Sequence, residues 1–402
     1  MITSGVGGGY ALEYSAPDRV RGVIAALGRT EDVKFSPNNS RLAVTSFLKN
    51  QITVFEICIA ASEGVTKISV MDAVEISSPY LRQPHGVDFI DDDKIIVANR
   101  KGDATIFELP AGGGDGKCHE LVPLEVIRAS EALNSPGNVA ITRKGKNLYE
   151  ALICNNFANK LTRHIIDLNQ KCSITTEEIL VKKWLDFPDG VSLGKDWIAV
   201  SNHNRHSVML YEYTDSLNEY SDPDGILRGI HYPHGLRFTS DGRFILVADA
   251  GAPYVHIYRK NQGWRGVRSP LKSLRALTDD DFLRGQETIH SGGPKGIDID
   301  NSMKIFVTTC EVQPLAFFDL AGIIEKISAP QRDNSHLPES DDDNCQREIE
   351  VKCELDIQHN LEQQIARIMS SRSWRITAPG RYVSSLLRRL GKLADPRPST
   401  SE

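Results

Sequence analysis

Along most of this chain, apolar and polar residues alternate in short runs, each closed by a turn. Residues 232–260, YPHGLRFTSDGRFILVADAGAPYVHIYRK, show the pattern most clearly. They read Pro-x-Gly, an alternating run, an Asp-Gly turn, a second run ending in Asp249, and a third run. Residues 83–109 and 187–213 repeat this order, and altered copies occupy 30–57, 135–167 and 292–319. Alternation with period two, broken by Asp-Gly and Asn-Asn turns, predicts strands and argues against helices.

Aligned on the glycine of Pro-x-Gly, the six copies fall at Asp32, Gly86, Asn138, Gly190, Gly235 and Gly296. Each copy holds three strands and leaves room for a fourth. The stretches KISVMDAVEI (67–76) and HELVPLEVIRA (119–129) suit that role. Four strands in each repeat of roughly 40–50 residues are the mark of a propeller blade. The expected fold is therefore all-β, a six-bladed β-propeller over residues 19–327. A ring of sheets must close, or its end strands expose unpaired edges. The last copy lacks an evident fourth strand, so the N-terminal stretch RVRGVIAAL (19–27) is expected to close it. Residues 1–18 are then a flexible N-terminus. The Gly5–Gly9 cluster has no strand before it and no helix after it, so it reads as tail and not as a phosphate loop.

Beyond Leu320 the pattern changes. Residues 328–356 are polar and acidic and read as a linker; 357–402 read as a basic amphipathic helical tail. Leu361, Ile365, Ile368 and Met369 follow helical spacing, and Trp374 and Tyr382 accompany an Arg-rich run. Such an element, here 361–397, suits an anionic membrane surface or a protein partner.

Composition narrows the function. A net charge of −6 gives no global field for nucleic acid. No run approaches the roughly 18 apolar residues of a membrane span, and the N-terminus does not read as a signal peptide. The seven cysteines are scattered without a Cys-x-x-Cys pair. Cys58, Cys154 and Cys310 are expected as reduced, buried strand residues of a cytoplasmic protein.

The chemistry is expected at the mouth of the central channel, where equivalent repeat positions converge. The residue between Pro and Gly gives one ring: Glu31, His85, Gly137, Asp189, His234 and Lys295. The end of the second strand gives another: Ser46, Asn99, Asn155, Asn202, Asp249 and Thr309. Polar residues recurring among Val, Ala and Ile suggest a binding site. Glu31, Asp189, His234 and Asn138 are candidate ligands of one divalent cation, with calcium, manganese and zinc all open. His85 is the candidate general base. Asn99, Asn155, Asn202, Asp249 and Lys295 are candidate ligand-binding residues, with Lys295 suited to an anion. Equally, the same Asn and Asp side chains suit capping of turn backbone. His203 and His206 (HNRH) are expected on a solvated hairpin turn. Trp197 is expected in the core; Trp184 is open between core and sugar stacking.

The Pro-His-Gly, Ser-Asp-Gly-Arg-Phe and Val-Ala-Asp of 232–260 resemble repeats of lactonase-type propellers. The six-fold repeat matches the gluconolactonase/regucalcin group better than the seven-bladed phosphogluconolactonase-like one. That resemblance implies metal-dependent hydrolysis of a sugar lactone or ester, with the metal held by a Glu of the first blade and Asn and Asp residues of later blades. Glu31 matches the Glu; Asp189 stands where an Asn is expected, and His234 where an Asp is. The segment Ser371–Pro379, SRSWRITAP, resembles a C-terminal segment of bacterial glycosyltransferases and other proteins of surface-polysaccharide assembly. It implies work in that assembly, on the cytoplasmic side or peripheral to the inner membrane, with a glycosyltransferase or membrane-surface partner. The alternative is a non-catalytic interaction scaffold tethered by its tail.

Overall fold

The computed structural model describes residues 6–329, apart from 63–64, 112–115 and 170. The expected linker and tail, including Ser371–Pro379, lie outside the described residues, save for Ser328 and Ala329.

Six antiparallel sheets form the six expected blades. Blade I holds Thr30–Phe35, Arg41–Ser46, Gln51–Ser62 and Val65–Ser77; blade II holds Pro84–Asp91, Lys94–Asn99, Ala104–Glu108 and Glu125–Ile127. Blade III holds Pro136–Gly145, Leu148–Asn155, Lys160–Asp167 and Ser173–Val181; blade IV holds Pro188–Leu193, Trp197–Asn202, Ser207–Glu212 and Gly225–Leu227. Blade V holds Pro233–Phe238, Phe244–Asp249, Tyr254–Arg259 and Lys272–Arg275. Blade VI holds Ile297–Ile299, Ile305–Thr308 and Ala316–Asp319 and is completed by Ala11–Leu12. The first strand of each blade packs against the first strand of the next, and blade VI returns to blade I.

Closure differs from the expectation in its residues. The stretch expected as closing strand forms helix α1 (Asp18–Ala25) instead, burying Val20 and Ile24 against blade I. Its apolar residues Val20, Val23, Ile24 and Leu27 recur at steps of three and four, which is helical spacing. The strand that closes the ring, Ala11–Leu12, lies in the stretch expected to be free, and Tyr14–Ser15 pairs with blade I. The segment 119–129 also divides. Cys118–Glu120 runs parallel to the outer strand of blade I, while Glu125–Ile127 is the outer strand of blade II. Helix α2 (Asp279–Gly285), capped by the Thr278 side chain, lies in the long connection before blade VI. Helix α3 (Leu320–Ser328) follows blade VI, capped by Asp319, with Leu320 and Ile323 buried against blades V and VI.

The core lies between blades as six apolar clusters, each assembled mainly from the facing residues of two neighbouring sheets. Trp197 is buried in one of these, as expected. Trp184 is 53% exposed, and its Nε1 donates to Asp222 at 2.5 Å. Among the described cysteines, Cys154, Cys172 and Cys310 are buried and free, and Cys58 and Cys118 are free and exposed. The expectation of burial thus fails for Cys58, which lies where the hairpin of blade I extends outward. Cys310 falls just past its strand.

Pro-x-Gly has a mechanical role. In blades I, III, IV and V the pairing of first and second strands slips by a residue directly after the Pro position, and a similar slip follows Pro84. A bulge re-aims the side chain it carries. Here it turns residue x towards the channel. The glycine that follows allows the next blade to approach: a Cβ at Gly190 would lie 2.1 Å from the carbonyl oxygen of His234.

Candidate functional site

Residue x of blades I, II, IV and V meets its counterparts at one mouth of the channel. Glu31, His85, Asp189 and His234 are all buried there. Oε2 of Glu31 lies 3.4 Å from His234 Nε2, 3.6 Å from His85 Nε2 and 3.2 Å from Lys295 Nζ. It accepts no hydrogen bond. The other oxygen, Oε1, accepts from Arg29 Nε and from Lys295 Nζ. Lys295 also pairs with Glu311. Burial opposes the charge of Glu31, but Lys295, His85, His234 and Arg29 outweigh it and hold its pKa well below the usual carboxylate range.

Asp189 faces the same space. Its Oδ1 accepts from Asn156 Nδ2 at 2.6 Å and Arg100 NH2 at 3.1 Å, and its Oδ2 lies 3.3 Å from His234 Nε2 and 3.6 Å from His203 Nδ1. Burial again opposes the charge, and His234, His85 and Arg100 overcome it, lowering the pKa.

The imidazoles have defined roles. Burial, reinforced by Arg100, brings the His85 pKa down to about 3, so the ring is neutral at pH 7. Its Nδ1 lies 2.9 Å from the Gly137 carbonyl and Nε2 lies 2.7 Å from Arg100 NH2. A carbonyl only accepts and a guanidinium only donates, so the proton sits on Nδ1 and the Nε2 lone pair points into the mouth. Burial likewise brings His203 to about 4. Its Nδ1 faces the Pro233 carbonyl at 3.2 Å, which leaves the Nε2 lone pair available. His234 Nδ1 is buried and has no hydrogen-bond partner.

Ligand atoms of Glu31, His85 and His234 lie within 4.8 Å of one another. The cluster forms the floor of a cavity of about 470 Å³, which Arg29, Arg100, Lys295, Phe157, Phe187 and His203 also line. Arg100 lies beside Phe47 and Phe187, 5.9 and 5.4 Å from their ring centres. Phe157 is 67% exposed at the rim. The connection after α2 supplies Glu287, Thr288, His290 and Ser291.

The two expected rings fare differently. From the first, Glu31, His85, Asp189, His234 and Lys295 come together. Asn138, expected as a metal ligand, does not join them. Its Nδ2 donates to Asp32 Oδ2 at 2.8 Å, and Oδ1 accepts the Val191 amide, tying blade III to blades I and IV. From the second ring, Asn99, Asn155, Asn202 and Asp249 take no part in the cavity. Their Oδ atoms accept the amides of Arg82, Asn134, Asp186 and, for Asp249, of His231, Tyr232 and Gly251. They hold the loop that enters each blade, which corrects the ligand-binding expectation.

The site uses instead the residue one step past that ring: Arg100 and His203 line the cavity, and Asn156 bonds to Asp189 behind it. Side chains of consecutive strand residues point to opposite faces, so a shift of one residue exchanges loop cap for mouth. His203, expected on a solvated turn, is buried, whereas His206 is exposed. The signal that could have found them is the polar residue after each Asn: Asn-Arg, Asn-Asn and Asn-His.

No family model matches the chain, and no curated protein matches it. Among solved structures, it is similar to a protein of Desulfotomaculum acetoxidans described as functionally unknown. The two are 15% identical with a TM-score of 0.46, over 73% of this chain and 83% of that one. Among the described residues no helix is long and apolar enough to cross a membrane.

Proposed function

We propose that this propeller holds one divalent cation at Glu31, His85 and His234 and uses it to hydrolyse a small lactone or ester bound in the mouth cavity. One observation carries the reading: three buried donor atoms from blades I, II and V converge within 4.8 Å. The donors fit an ion. Glu31 Oε2 accepts no hydrogen bond, and the Gly137 carbonyl fixes the His85 tautomer with its lone pair inward, as backbone carbonyls commonly do for metal-binding histidines. Two imidazoles and one carboxylate favour zinc or manganese over calcium. Lys295 pairs with Glu311 as well as with Glu31, and the second carboxylate offsets the like charge near the ion.

When bound, the ion polarises a carbonyl and lowers the pKa of water. The residue roles then differ from the sequence expectation. His85 holds the ion and is not the base, because Nδ1 keeps its proton on Gly137 and the one remaining lone pair, on Nε2, goes to the ion. Asp189, beside both imidazoles, is placed to orient them and to balance the charge of the ion. Arg100 and His203 hold Asp189 in place.

Elemental analysis and thermal melts with and without chelator test the ion. A stoichiometric metal whose removal lowers the melting temperature supports the site. Glu31→Gln then abolishes both metal binding and hydrolysis of sugar lactones and esters; retained activity rejects the assignment.

A scaffold reading has its own observation: Lys295 and Arg100 already neutralise Glu31 and Asp189 without an ion. Absence of metal binding would favour it. A role in surface-polysaccharide assembly, beside a glycosyltransferase or the inner membrane, rests on Ser371–Pro379 and the basic run around it. Deleting residues 361–402 should then move the protein from the membrane or complex fraction to the soluble one; unchanged partitioning removes that part.

A further inference from the structure

We infer that metal loading turns the mouth into an anion site, with Arg100 as the recognising group, and that the ligand is a small monocarboxylate. The inference rests on the metal reading above and adds the class of ligand.

It begins with one lone pair. Arg100 NH2 donates to His85 Nε2 at 2.7 Å, and that nitrogen has a single lone pair. An ion bound by His85 needs the same pair, so the ion and this N–H exclude one another. The same NH2 also reaches Asp189 and Asn156, at 3.1 and 3.3 Å, so its two N–H bonds serve three acceptors, and loss of His85 leaves one for each of the other two. The free donor is Arg100 Nε, which is buried and has no hydrogen-bond partner. The rings of Phe47 and Phe187 limit where the group can go. The one N–H of this planar fork left without a partner matches an oxygen of a carboxylate.

Charge points the same way. Among the residues that line the cavity, Arg29, Arg100 and Lys295 are matched by Glu31, Asp189 and Glu287. A divalent ion leaves the cavity in positive excess, even after Glu311 behind Lys295 is included. A monoanion is the complement. Above the fork, Phe157 and Phe187 meet edge to face at 5.2 Å and offer an apolar surface at the rim. The ligand therefore carries its carboxylate inward and an apolar or ring face outward.

Benzoate and benzyl alcohol are probes that differ in charge but share the ring. Zinc binding is measured first by calorimetry on the chelated full chain, and benzoate is then titrated with and without zinc. Zinc-loaded protein is expected to bind benzoate at least about tenfold more tightly than zinc-free protein, and more tightly than benzyl alcohol. Arg100→Gln should lower benzoate affinity about tenfold or more while zinc affinity is kept or rises, because a competitor for His85 is gone. Arg100→Lys keeps the charge but not the fork, and carries the same test if the Gln variant does not fold. Zinc binding without benzoate binding overturns the anion inference and leaves the metal reading standing. Equal benzoate affinity with and without zinc, or in either folded Arg100 variant and wild type, also overturns it. Failure to bind zinc overturns both.

Discussion

Asn155 and Asn156 are adjacent and both fully buried, yet they serve different parts of the molecule. Asn155 accepts the Asn134 amide and donates to the Ile153 carbonyl and Thr162 Oγ1, all within blade III and the loop that enters it. Asn156 donates to Asp189 and the Pro188 carbonyl of blade IV and accepts from Arg100 of blade II. The same contrast separates Asn99 from Arg100 and Asn202 from His203. In one ring the Asn and Asp side chains are matched locally, so the blade holds itself. In the next, partners come from other blades, and unmatched lone pairs remain over a cavity. Burial and polarity alone do not mark a site. What marks it is the convergence of side chains from separate blades with bonding capacity left over.

The comparison breaks most sharply at Asp249. Asp249→Ala leaves three part-buried backbone amides without their acceptor and should destabilise the fold by about 3 kcal/mol, read as the shift of the urea midpoint. Metal affinity of the folded fraction should be unchanged. A loss below about 1 kcal/mol would show that the strand-end ring is not a structural device.

Glu31→Gln should do the converse. We expect no metal binding detectable by calorimetry, a loss of at least about a hundredfold, with a smaller change in unfolding free energy than in the Asp249 variant. Calorimetry with zinc, paired with urea melts, separates the two effects.

A buried histidine away from the mouth sharpens the pH side. Burial lowers the His164 pKa to about 4. Between its unfolded value near 6.5 and about 4, the unfolded chain binds a proton that the folded chain does not, so stability falls as pH falls. At pH 5 this one group should remove about 2 kcal/mol relative to pH 7. His164→Gln should flatten the pH dependence by that amount, and an unchanged slope would mean that His164 is protonated in the fold.

Phe157→Ala should have the smallest effect. The ring is mostly exposed, so stability should stay within about 0.5 kcal/mol. Benzoate binding to the zinc-loaded protein should weaken about threefold; no change would place the ligand away from the rim.

Legibility in the sequence followed the range of the interactions. Pro-x-Gly was legible because a bulge and a close approach recur identically in each blade, as at Gly190. Glu31, His85, Asp189, His234 and Lys295 were legible for the same reason. Asn138 was not separable from them, because its bond to Asp32 crosses between blades I and III and leaves no local trace. Gly137 shows the converse: a Cβ there would lie 2.2 Å from Asn156 Oδ1, so the gap in the first ring admits a residue from the second hairpin. The closing strand was misplaced because two residues, Ala11 and Leu12, carry too little alternation to announce themselves, whereas the longer apolar run beside them is helical.

By itself the sequence determined the number of blades, their order, and the six positions aimed at one mouth. Those depend on alternation and turn chemistry within each repeat, which neighbours in the chain set. Only the tertiary structure decided which polar residues share a partner. Whether Asn99 or Arg100 faces the cavity depends on a one-residue phase in the strand, and which imidazole keeps a free lone pair depends on a carbonyl from another blade. Both are fixed when the ring closes and brings distant residues within hydrogen-bond reach.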